Sequence, residues 1–242
     1  MIKFENTEVM NFEGAIRGMR NPLNSWDKAD SVFCIDCDLC DGDCSRRYVE
    51  GVCCFEIGAN DLDLARRLIN AGSDHRKFLR QIFVSVDITA PLYWWKEFDT
   101  YKVGTVANSC STMHKIHARD LTLDDFSHEH LFDGLDRVEG ASDMEYYENP
   151  TTALNYLIRV INYYRKKFIK TKDMRYWWQM IQLLPTSYNQ KRTVTLTYEN
   201  LRNISGSRRN HKLTEWGVGF MEWIDSLPYA EELIKYRVGV RK

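Results

Sequence analysis

Residues 83–117 read FVSVDITAPLYWWKEFDTYKVGTVANSCSTMHKIH and contain the clearest structural pattern of the chain. In Phe83–Thr89, apolar and polar residues alternate at every second position, which predicts a half-buried strand. Proline disfavours helix at the residue before it and is tolerated in the first turn of a helix. Ala90-Pro91 therefore predicts a junction between this strand and a helix over Leu92–Tyr101.

A polar segment, Gly104–Met113, follows the predicted helix. It is rich in Thr, Ser and Asn, contains one cysteine and has no apolar period. Small hydroxyl and amide side chains beside a rigid strand and helix can hold a polar ligand by hydrogen bonds. We expect this segment to line a cleft.

The same region resembles the flavin-dependent thymidylate synthases, which place a histidine before the apolar strand, as His75 stands here. Their signature is R-H-R, seven residues and a serine, with a preceding glutamine. In this chain, Thr100-Tyr101-Lys102 stand at the R-H-R positions, Cys110 at the serine and Glu97 at the glutamine. A shift of one residue would put Ser111 at the serine instead. The order of elements matches the family, whereas two of the three cations of the triplet are replaced.

A second, separate segment carries the other half of the resemblance. The family has an L-P turn, an N-x-R segment after a strand, and a later arginine before an amphipathic helix. This chain has Leu184-Pro185, Asn200-Leu201-Arg202 and Arg208-Arg209 in that order. Ile181 stands where the family has an arginine four residues before the proline. The resemblance spans roughly residues 60–223.

The resemblance implies an α+β fold, with a small and mainly antiparallel sheet covered by helices. It implies methylation of dUMP or a related pyrimidine nucleotide, with FAD as cofactor and with NADPH and methylenetetrahydrofolate as co-substrates. The implied cofactor-binding residues are His75, Tyr101, Lys102, Asn200 and Arg202. The implied substrate-binding residues are Glu97, Asn108, Ser109, Cys110, Ser111, Arg208 and Arg209. The family forms homotetramers, and Trp94-Trp95 and Trp177-Trp178 suit such an assembly.

Composition limits the class of protein. With 242 residues and 44% apolar content, the chain can bury a sizeable core, and we expect one domain over residues 1–242. The net charge of −1 provides no overall field for nucleic acid or a membrane surface, so we expect neither partner. No window is apolar enough for a membrane span, and Met1–Glu5 does not resemble a signal peptide, so we expect a cytoplasmic protein.

Six of the seven cysteines lie in one short segment, which we interpret as a Cys-rich loop inserted at residues 32–55. Its first four, Cys34, Cys37, Cys40 and Cys44, have the spacing of a bacterial iron–sulfur run, but Ser45 replaces the usual proline. Four thiolates at such spacing can also bind zinc. Zinc, an iron–sulfur cluster and an insert without metal all remain open.

Other elements follow from periodicity and capping residues. The N-terminal residues 1–31 are interpreted as a strand followed by a loop. The predicted helices are Asp61–Ala71, a short one beginning near His75, a long one opening at Pro150, Met174–Leu184, Lys212–Ser226 and Tyr229–Tyr236. A second strand is expected over Lys191–Tyr198, where Thr alternates with Val and Leu.

Three hypotheses for function remain from the sequence. The first is a flavoenzyme acting on a pyrimidine nucleotide. The second is a protein of the same fold that binds nucleotide or regulates a partner without catalysis. The third is a metal-dependent protein that uses the Cys34–Cys44 segment for redox chemistry or assembly.

Overall fold

The computed structural model describes residues 2–33, 55–132, 136–137 and 147–237. The strands in these ranges are β1 (Lys3–Met10), β2 (Val32–Phe33), β3 (Phe55–Glu56), β4 (Phe83–Pro91), β5 (Val106–Ser109), β6 (Asp136–Arg137), β7 (Tyr147–Glu148) and β8 (Asn189–Thr197). Four of them form one sheet in the order β1-β4-β8-β5, and two short antiparallel pairs, β2-β3 and β6-β7, stand apart. The predicted α+β fold with a small, mainly antiparallel sheet is confirmed.

Eight α-helices are interspersed with these strands along the described part of the sequence. They are α1 (Phe12–Met19), α2 (Ala59–Ala71), α3 (Leu92–Phe98), α4 (Thr112–Lys115), α5 (Pro150–Thr171), α6 (Met174–Leu183), α7 (Tyr198–Arg208) and α8 (Met221–Asp225). Short 3₁₀ helices occur at Asn21–Leu23, Trp26–Lys28, Lys77–Arg80 and Leu123–Asp125. Two π-helical segments occur at Glu215–Phe220 and Ala230–Ile234.

The chain divides into two compact units. The helical unit consists of Thr89–Phe98 and Ser109–Lys191. The sheet unit consists of Ile2–Ile88, Asp99–Asn108 and Arg192–Lys242.

Alternating residues build the core of the sheet unit. In β4, Val84, Val86 and Ile88 are fully buried while the residues between them are partly exposed, so the predicted strand is confirmed. The strand runs on to Pro91, directly before α3. In β8, Val194 and Leu196 are buried in the same way. Burial of one face fixes which residues of each strand point inward.

A long helix organises the helical unit. Helix α5 begins at Pro150, where Asn149 caps it by accepting a hydrogen bond from the Thr152 N–H over 2.9 Å. It packs along α6. One apolar cluster joins the two helices to the preceding segment, and its buried members are Ile116, Leu121, Phe126, Leu154, Ile158, Ile161 and Met180.

The tryptophan pairs differ from the sequence-based expectation. Trp94 and Trp95 are 0% and 1% exposed and pack against Phe98 in α3, so they belong to a core and cannot serve an outer surface. Trp178 on α6 is 49% exposed, as an assembly surface would require. The expectation for the first pair was wrong because alternation alone does not distinguish a buried aromatic helix from an exposed one.

Helix α1, strand β5 and helix α7 are among the elements that the sequence did not predict. The α1 residues were interpreted as a loop because Gly14 and Gly18 interrupt them, although the buried side chains recur at helical spacing. All four residues of β5 are exposed, and an edge strand held by backbone pairing leaves no apolar period in the sequence. Helix α7 begins directly at the end of β8, within the segment that matched the N-x-R pattern.

The predicted helix Lys212–Ser226 contains a π-helical turn. A Cβ atom at Gly217 would lie 2.8 Å from the backbone oxygen of His211, so this turn requires a glycine. The turn places Trp216 and Phe220 in the core, at 0% exposure, and α8 continues from it. The predicted apolar face of this helix is confirmed.

The Cys-rich insert lies mostly outside the described residues, and so do Cys34, Cys37, Cys40 and Cys44. Strands β2 and β3, which precede and follow it, pair with Val32 opposite Glu56 and Phe33 opposite Phe55. Zinc binding therefore stays a prediction, and metal analysis of the purified protein would test it. Among the described helices, none is both long and apolar enough to cross a membrane.

Candidate functional site

The predicted site residues fall into both units. Those in the helical unit are Glu97, Ser109, Cys110 and Ser111. Those in the sheet unit are His75, Tyr101, Lys102, Asn108, Asn200, Arg202, Arg208 and Arg209.

A cleft of about 430 Å³ lies in the helical unit, and the end of the Gly104–Met113 segment, which was expected to line a cleft, contributes to it. Cys110 and Ser111 line it, as predicted, whereas Glu97 and Ser109 are not among its lining residues. We call it the Cys110 cleft. Its lining also includes Lys115, Arg119, Asp125, Tyr188, Asn189 and Lys191, none of which was predicted from the sequence.

Hydrogen bonds fix the wall of the Cys110 cleft. The Cys110 N–H donates to the Lys191 carbonyl over 2.9 Å. The Gln190 side-chain amide donates to the Cys110 carbonyl over 3.0 Å and to the Thr112 hydroxyl over 3.1 Å. Ser111 caps the short α4 by accepting from the His114 N–H. Both backbone groups of Cys110 are thus paired, and its thiol is exposed.

An ion pair between Arg119 and Asp125 forms part of the wall of the Cys110 cleft. The guanidinium of Arg119 contacts both carboxylate oxygens of Asp125, whose side chain is only 11% exposed. Burial acts to raise the pKa of Asp125, but hydrogen bonds from Arg119 and the Thr122 N–H lower it overall. Asp125 therefore keeps its negative charge next to Arg119.

Tyr188 and Asn189 contribute two different polar groups. Burial and the charge of Asp125 raise the pKa of Tyr188, so the phenol stays neutral and can donate a hydrogen bond. The side-chain oxygen of Asn189 is buried and has no hydrogen-bond partner in the described part of the chain. Buried acceptors are normally paired, so this oxygen fits a ligand that presents an N–H group. Asn189 opens β8, two residues before the predicted strand start.

In the sheet unit, Tyr101 and Arg208 contact each other. The Arg208 Nε donates to the Tyr101 hydroxyl over 2.8 Å. The guanidinium carbon also lies 5.5 Å from the centre of the Tyr101 ring and 5.2 Å from that of Trp216. The structure therefore brings two predicted site residues together, with the guanidinium of Arg208 in contact with two aromatic rings.

Asn200 acts as a cap of α7. Its side-chain oxygen accepts from the Thr197 N–H over 3.0 Å, while its amide donates to the Val103 carbonyl over 2.6 Å. The T-x-x-N spacing of Thr197 and Asn200 is a capping signal that the sequence already contained. Both polar ends of the Asn200 side chain are thus bonded within the protein.

Arg202 lies in a small cleft of about 190 Å³ with two further arginines. One of its terminal nitrogens, Nη1, donates to the carbonyls of Ile234 and Tyr236 over 2.9 and 2.7 Å. Arg209 and Arg237 line the same cleft, which we call the arginine cleft. Burial and the positive charges of neighbouring arginines lower the pKa of Arg202. This concentration of positive charge suits an anion.

His75 is exposed on a turn and lines a third cleft, of about 550 Å³, together with Met19, Phe78 and Gln81. We call it the His75 cleft. The next residue, Arg76, forms an ion pair with Glu199 in α7, in which Nε lies 2.9 and 3.1 Å from the two carboxylate oxygens. Their side chains are 17% and 9% exposed, so this pair attaches the turn to α7.

Lys102, Asn108 and Arg209 are exposed. Glu97 is half-buried on α3. Among the described residues, no group of three or more His, Cys, Asp or Glu side chains could hold a metal ion.

Comparison with known proteins gives structural matches only. No protein-family model and no curated protein matches the sequence. A thymidylate synthase X from Helicobacter pylori, solved with FAD and dUMP, superposes with a TM-score of 0.60 at 12% identity, covering 97% of this chain and 96% of that one. A flavin-dependent thymidylate synthase from the same organism, also complexed with FAD and dUMP, has a TM-score of 0.59 at 12% identity, covering 97% of both chains.

A third structure broadens the comparison beyond thymidylate synthase. The UMP/dUMP methylase PolB from Streptomyces cacaoi, bound with 5-Br dUMP, has a TM-score of 0.58 at 14% identity, covering 97% of this chain and 95% of that one. At such low identity, similarity of structure shows the fold, and function has to be argued from the site. The chain has the fold of the flavin-dependent thymidylate synthases over nearly its whole length.

Proposed function

We propose that the protein is a flavin-dependent methylating enzyme that binds dUMP or a related pyrimidine nucleotide in the Cys110 cleft. The main support is the buried, unpaired oxygen of Asn189 in a cleft that also contains basic side chains. Uracil presents its N3–H between two carbonyl oxygens, so it offers the donor that this oxygen lacks. The three solved structures of the same fold carry dUMP or 5-Br dUMP.

The groups of the Cys110 cleft match the parts of a nucleotide. Lys115 supplies positive charge for the phosphate, whereas the charge of Arg119 is compensated by Asp125, and charge-assisted hydrogen bonds are the strong ones. The Ser111 hydroxyl, which accepts from a backbone N–H, still has its own hydrogen to donate to a uracil carbonyl. The cleft volume of about 430 Å³ lies within the range of roughly 300–1,000 Å³ of small-molecule sites.

FAD would be held by residues of the sheet unit. Its diphosphate requires cations, and the arginine cleft supplies Arg202, Arg209 and Arg237. Its ring system requires a partly apolar surface, which Leu23 and Leu68 provide beside His75. Bound FAD would supply the hydride for methyl formation, with NADPH as its reductant and methylenetetrahydrofolate as the one-carbon donor. The residues present fit this cofactor. Tyr101 and Asn200, which the resemblance implied as cofactor contacts, instead form hydrogen bonds within the protein.

A second function has one observation in its favour. Hydrogen bonds within the chain occupy polar atoms of Tyr101, Asn200 and Arg208. A protein that kept the fold and a nucleotide cleft but lost catalysis would show the same pattern, and would act by binding or regulation. A homotetramer and a cytoplasmic location are further parts of the proposal that follow from the resemblance alone.

Calorimetry and spectroscopy on the purified protein test the proposal. We expect FAD to give a bound flavin spectrum, dUMP or UMP to bind, and the nucleotide to be methylated when all co-substrates are present. Binding of nucleotide without turnover would favour the second function. Failure to bind FAD, dUMP and UMP would refute both.

A pair of lysine variants tests the location of the nucleotide. Lys115→Ala removes a basic residue of the Cys110 cleft, whereas Lys166→Ala removes an equally exposed charge from α5. We expect only the first to weaken dUMP binding, by about tenfold, because each lost charge-assisted contact is worth about 1.5–3 kcal/mol at most. Equal effects of the two variants would place the nucleotide elsewhere.

A further inference from the structure

We infer that one side of helix α5 is a binding surface for single-stranded nucleic acid. The surface consists of aromatic and basic side chains that recur every three or four residues along the helix, and all of them are exposed. We call it the α5 stripe, and its members are Tyr156, Arg159, Tyr163, Lys166, Lys167 and Lys170. No member of the stripe lines the Cys110 cleft, so this binding surface is independent of the proposed function.

The spacing of these residues puts their side chains on the same side of α5. Side chains three or four positions apart are neighbours on a helix of about 3.6 residues per turn. The buried side chains of α5, Leu154, Ile158 and Ile161, lie on the opposite side, in the apolar cluster of the helical unit. From Tyr156 to Lys170 the stripe is about 21 Å long at about 1.5 Å per residue. A strand with a rise of about 3.4 Å per nucleotide covers this length with about six nucleotides.

The positive charges of the stripe are not neutralised by the described part of the chain. Three of its cations form no ion pair with a described carboxylate, namely Arg159, Lys166 and Lys170. Residues 150–172 contain no Asp or Glu. The net charge of −1, from which we expected no nucleic-acid partner, describes the whole chain and not this surface. A row of exposed cations without carboxylates is complementary to a chain of phosphates.

Two exposed tyrosines distinguish the stripe from an ordinary solvated basic surface. Tyr156 and Tyr163 are 64% and 54% exposed, and they are about 10 Å apart along the helix axis. The ammonium nitrogen of Lys167 lies 5.5 Å from the centre of the Tyr163 ring, so a cation and an aromatic ring are adjacent. In proteins that bind single strands, unpaired bases stack on aromatic rings while cations contact the phosphates. The alternation of rings and cations therefore fits a single strand, whose bases are accessible.

The composition of the stripe argues against a lipid surface as the partner. Helices that lie on membranes combine basic residues with Trp, Phe or Leu side chains, which enter the boundary of the acyl chains. The α5 stripe contains only Tyr, Lys and Arg. Its aromatic rings carry hydroxyl groups, and no aliphatic side chain belongs to it. A single strand of nucleic acid matches both of its residue types, whereas a bilayer matches only the charge.

Fluorescence anisotropy on the purified protein tests the inference. The probe is a labelled oligothymidylate of about 20 nucleotides, longer than the stripe requires, and an oligouridylate of the same length is measured in parallel. Polyglutamate and vesicles of phosphatidylserine and phosphatidylcholine are added as competitors. We expect both oligonucleotides to bind and both competitors to be weak. Absence of binding, or displacement of the probe by polyglutamate or vesicles as effective as by unlabelled oligonucleotide, would overturn the inference.

A tyrosine pair tests the contribution of stacking without a change of charge. We expect Tyr156→Ala/Tyr163→Ala to weaken binding of the oligothymidylate by about tenfold or more, because both stacking surfaces are lost. Tyr156→Phe/Tyr163→Phe keeps the rings and should bind like the wild type. Alanine is the best helix former and both positions are exposed, so the alanine variant should fold, which thermal melting verifies. Unchanged affinity in the alanine variant, or an equal loss in the phenylalanine variant, would contradict stacking on these rings.

A lysine pair tests the contribution of charge. We expect Lys166→Ala/Lys170→Ala to reduce the slope of log affinity against log salt concentration by about 1.4, since each phosphate contact of a single strand contributes about 0.7. The matched control is Lys3→Ala/Lys28→Ala, which removes two exposed charges from the sheet unit. It changes the net charge by the same amount and should leave the slope unchanged. Equal changes of slope in the two variants would show that the α5 stripe is not the binding surface.

Discussion

The guanidinium of Arg208 lies over the ring of Tyr101 and donates a hydrogen bond to its hydroxyl, so an arginine of α7 is held by a residue of the Thr100–Lys102 triplet. By the resemblance, this triplet would supply cations to a bound ligand. Here its central residue binds a cation of the protein itself. The centre of the Trp216 ring lies 5.2 Å from the same guanidinium, so Arg208 contacts two aromatic rings.

Removing the Tyr101 hydroxyl should weaken this arrangement. We expect Tyr101→Phe to lower the free energy of unfolding by about 1 kcal/mol, because a hydrogen bond from a charged donor is lost while the ring remains. Tyr101→Ala should cost more, since it also removes the contact between cation and ring, worth about 0.5–1 kcal/mol. Urea unfolding monitored by tryptophan fluorescence measures both. Tyr156→Phe, on a side chain 64% exposed, serves as the control and should change little. A Tyr101→Phe variant as stable as wild type would show that the hydrogen bond contributes nothing net.

The Arg76–Glu199 pair should matter more than its exposed counterpart. We expect Glu199→Gln to destabilise the protein by about 2–3 kcal/mol, because the variant leaves a largely buried guanidinium without its opposite charge. The matched control is Asp63→Asn, which removes the carboxylate from an ion pair with Arg67 whose side chains are 66% and 68% exposed. Exposed pairs of this kind contribute at most about 1 kcal/mol. Equal losses of unfolding free energy in the two variants, measured by urea titration, would contradict this assignment.

The parts of the fold that the sequence predicted are those with a repeating apolar pattern or a recognisable cap. Strand β4 has alternation over its whole length, and α5 has Pro150 after a capping Asn149. Strand β5 has neither signal, because its four residues are exposed and only backbone pairing to a neighbour defines it. Such an element follows from the tertiary structure and cannot be derived from a local window.

The residues of the candidate site also divide into those that a local sequence pattern predicted and those that it did not. Cys110 and Ser111 were predicted as site residues because a polar segment follows a strong strand and helix, and both line the Cys110 cleft. Arg119, Asp125 and Asn189 were missed because the segment of Arg119 and Asp125 and the segment of Asn189 are about 65 residues apart in the sequence, and only folding brings them to one cleft. No spacing of residues in the sequence predicts such a group. That the Asn189 oxygen has no hydrogen-bond partner can be recognised only when its neighbours in the structure are known.

Asp61 should make the stability of the protein depend on pH in the acid range. Burial acts to raise its pKa, but hydrogen bonds from Ser31 and Arg20 lower it below the ordinary 3.8 overall. A carboxylate whose pKa is lower in the folded state stabilises the protein above its unfolded pKa, and this stabilisation is lost as the pH falls through the folded value. We therefore expect the free energy of unfolding to decrease as the pH is lowered below 3.8.

Ser31→Ala tests this origin of the acid sensitivity. The Ser31 hydroxyl donates to Asp61 over 2.6 Å, so its removal should cost about 1–2 kcal/mol near neutral pH. The difference from wild type should shrink at pH values below 3.8, where Asp61 becomes protonated in both proteins. Ser207→Ala, which removes an exposed hydroxyl bonded within α7, should show no such pH dependence. A Ser31→Ala effect that stays constant with pH would mean that Asp61 is not the titrating group.

Replacing Asn189 should affect the stability of the free protein and its affinity for nucleotide differently. Its buried oxygen has no hydrogen-bond partner in the described part of the protein, which is unfavourable as long as no ligand is bound. Replacing it by the similarly sized leucine should therefore leave the melting temperature of the free protein unchanged or raise it, since removal of an unsatisfied polar group is neutral or stabilising. The same variant should bind dUMP about ten to a hundred times more weakly, because the acceptor for N3–H is gone and the donor stays unpaired. Thermal melting with and without dUMP measures both quantities on one sample.

Thr193→Val is the control from the same strand, because its hydroxyl bonds to Asp87 and does not line the Cys110 cleft. It should lose stability and keep dUMP affinity, the opposite of the result for Asn189→Leu, and the same response in both variants would mean that the Asn189 oxygen has no ligand.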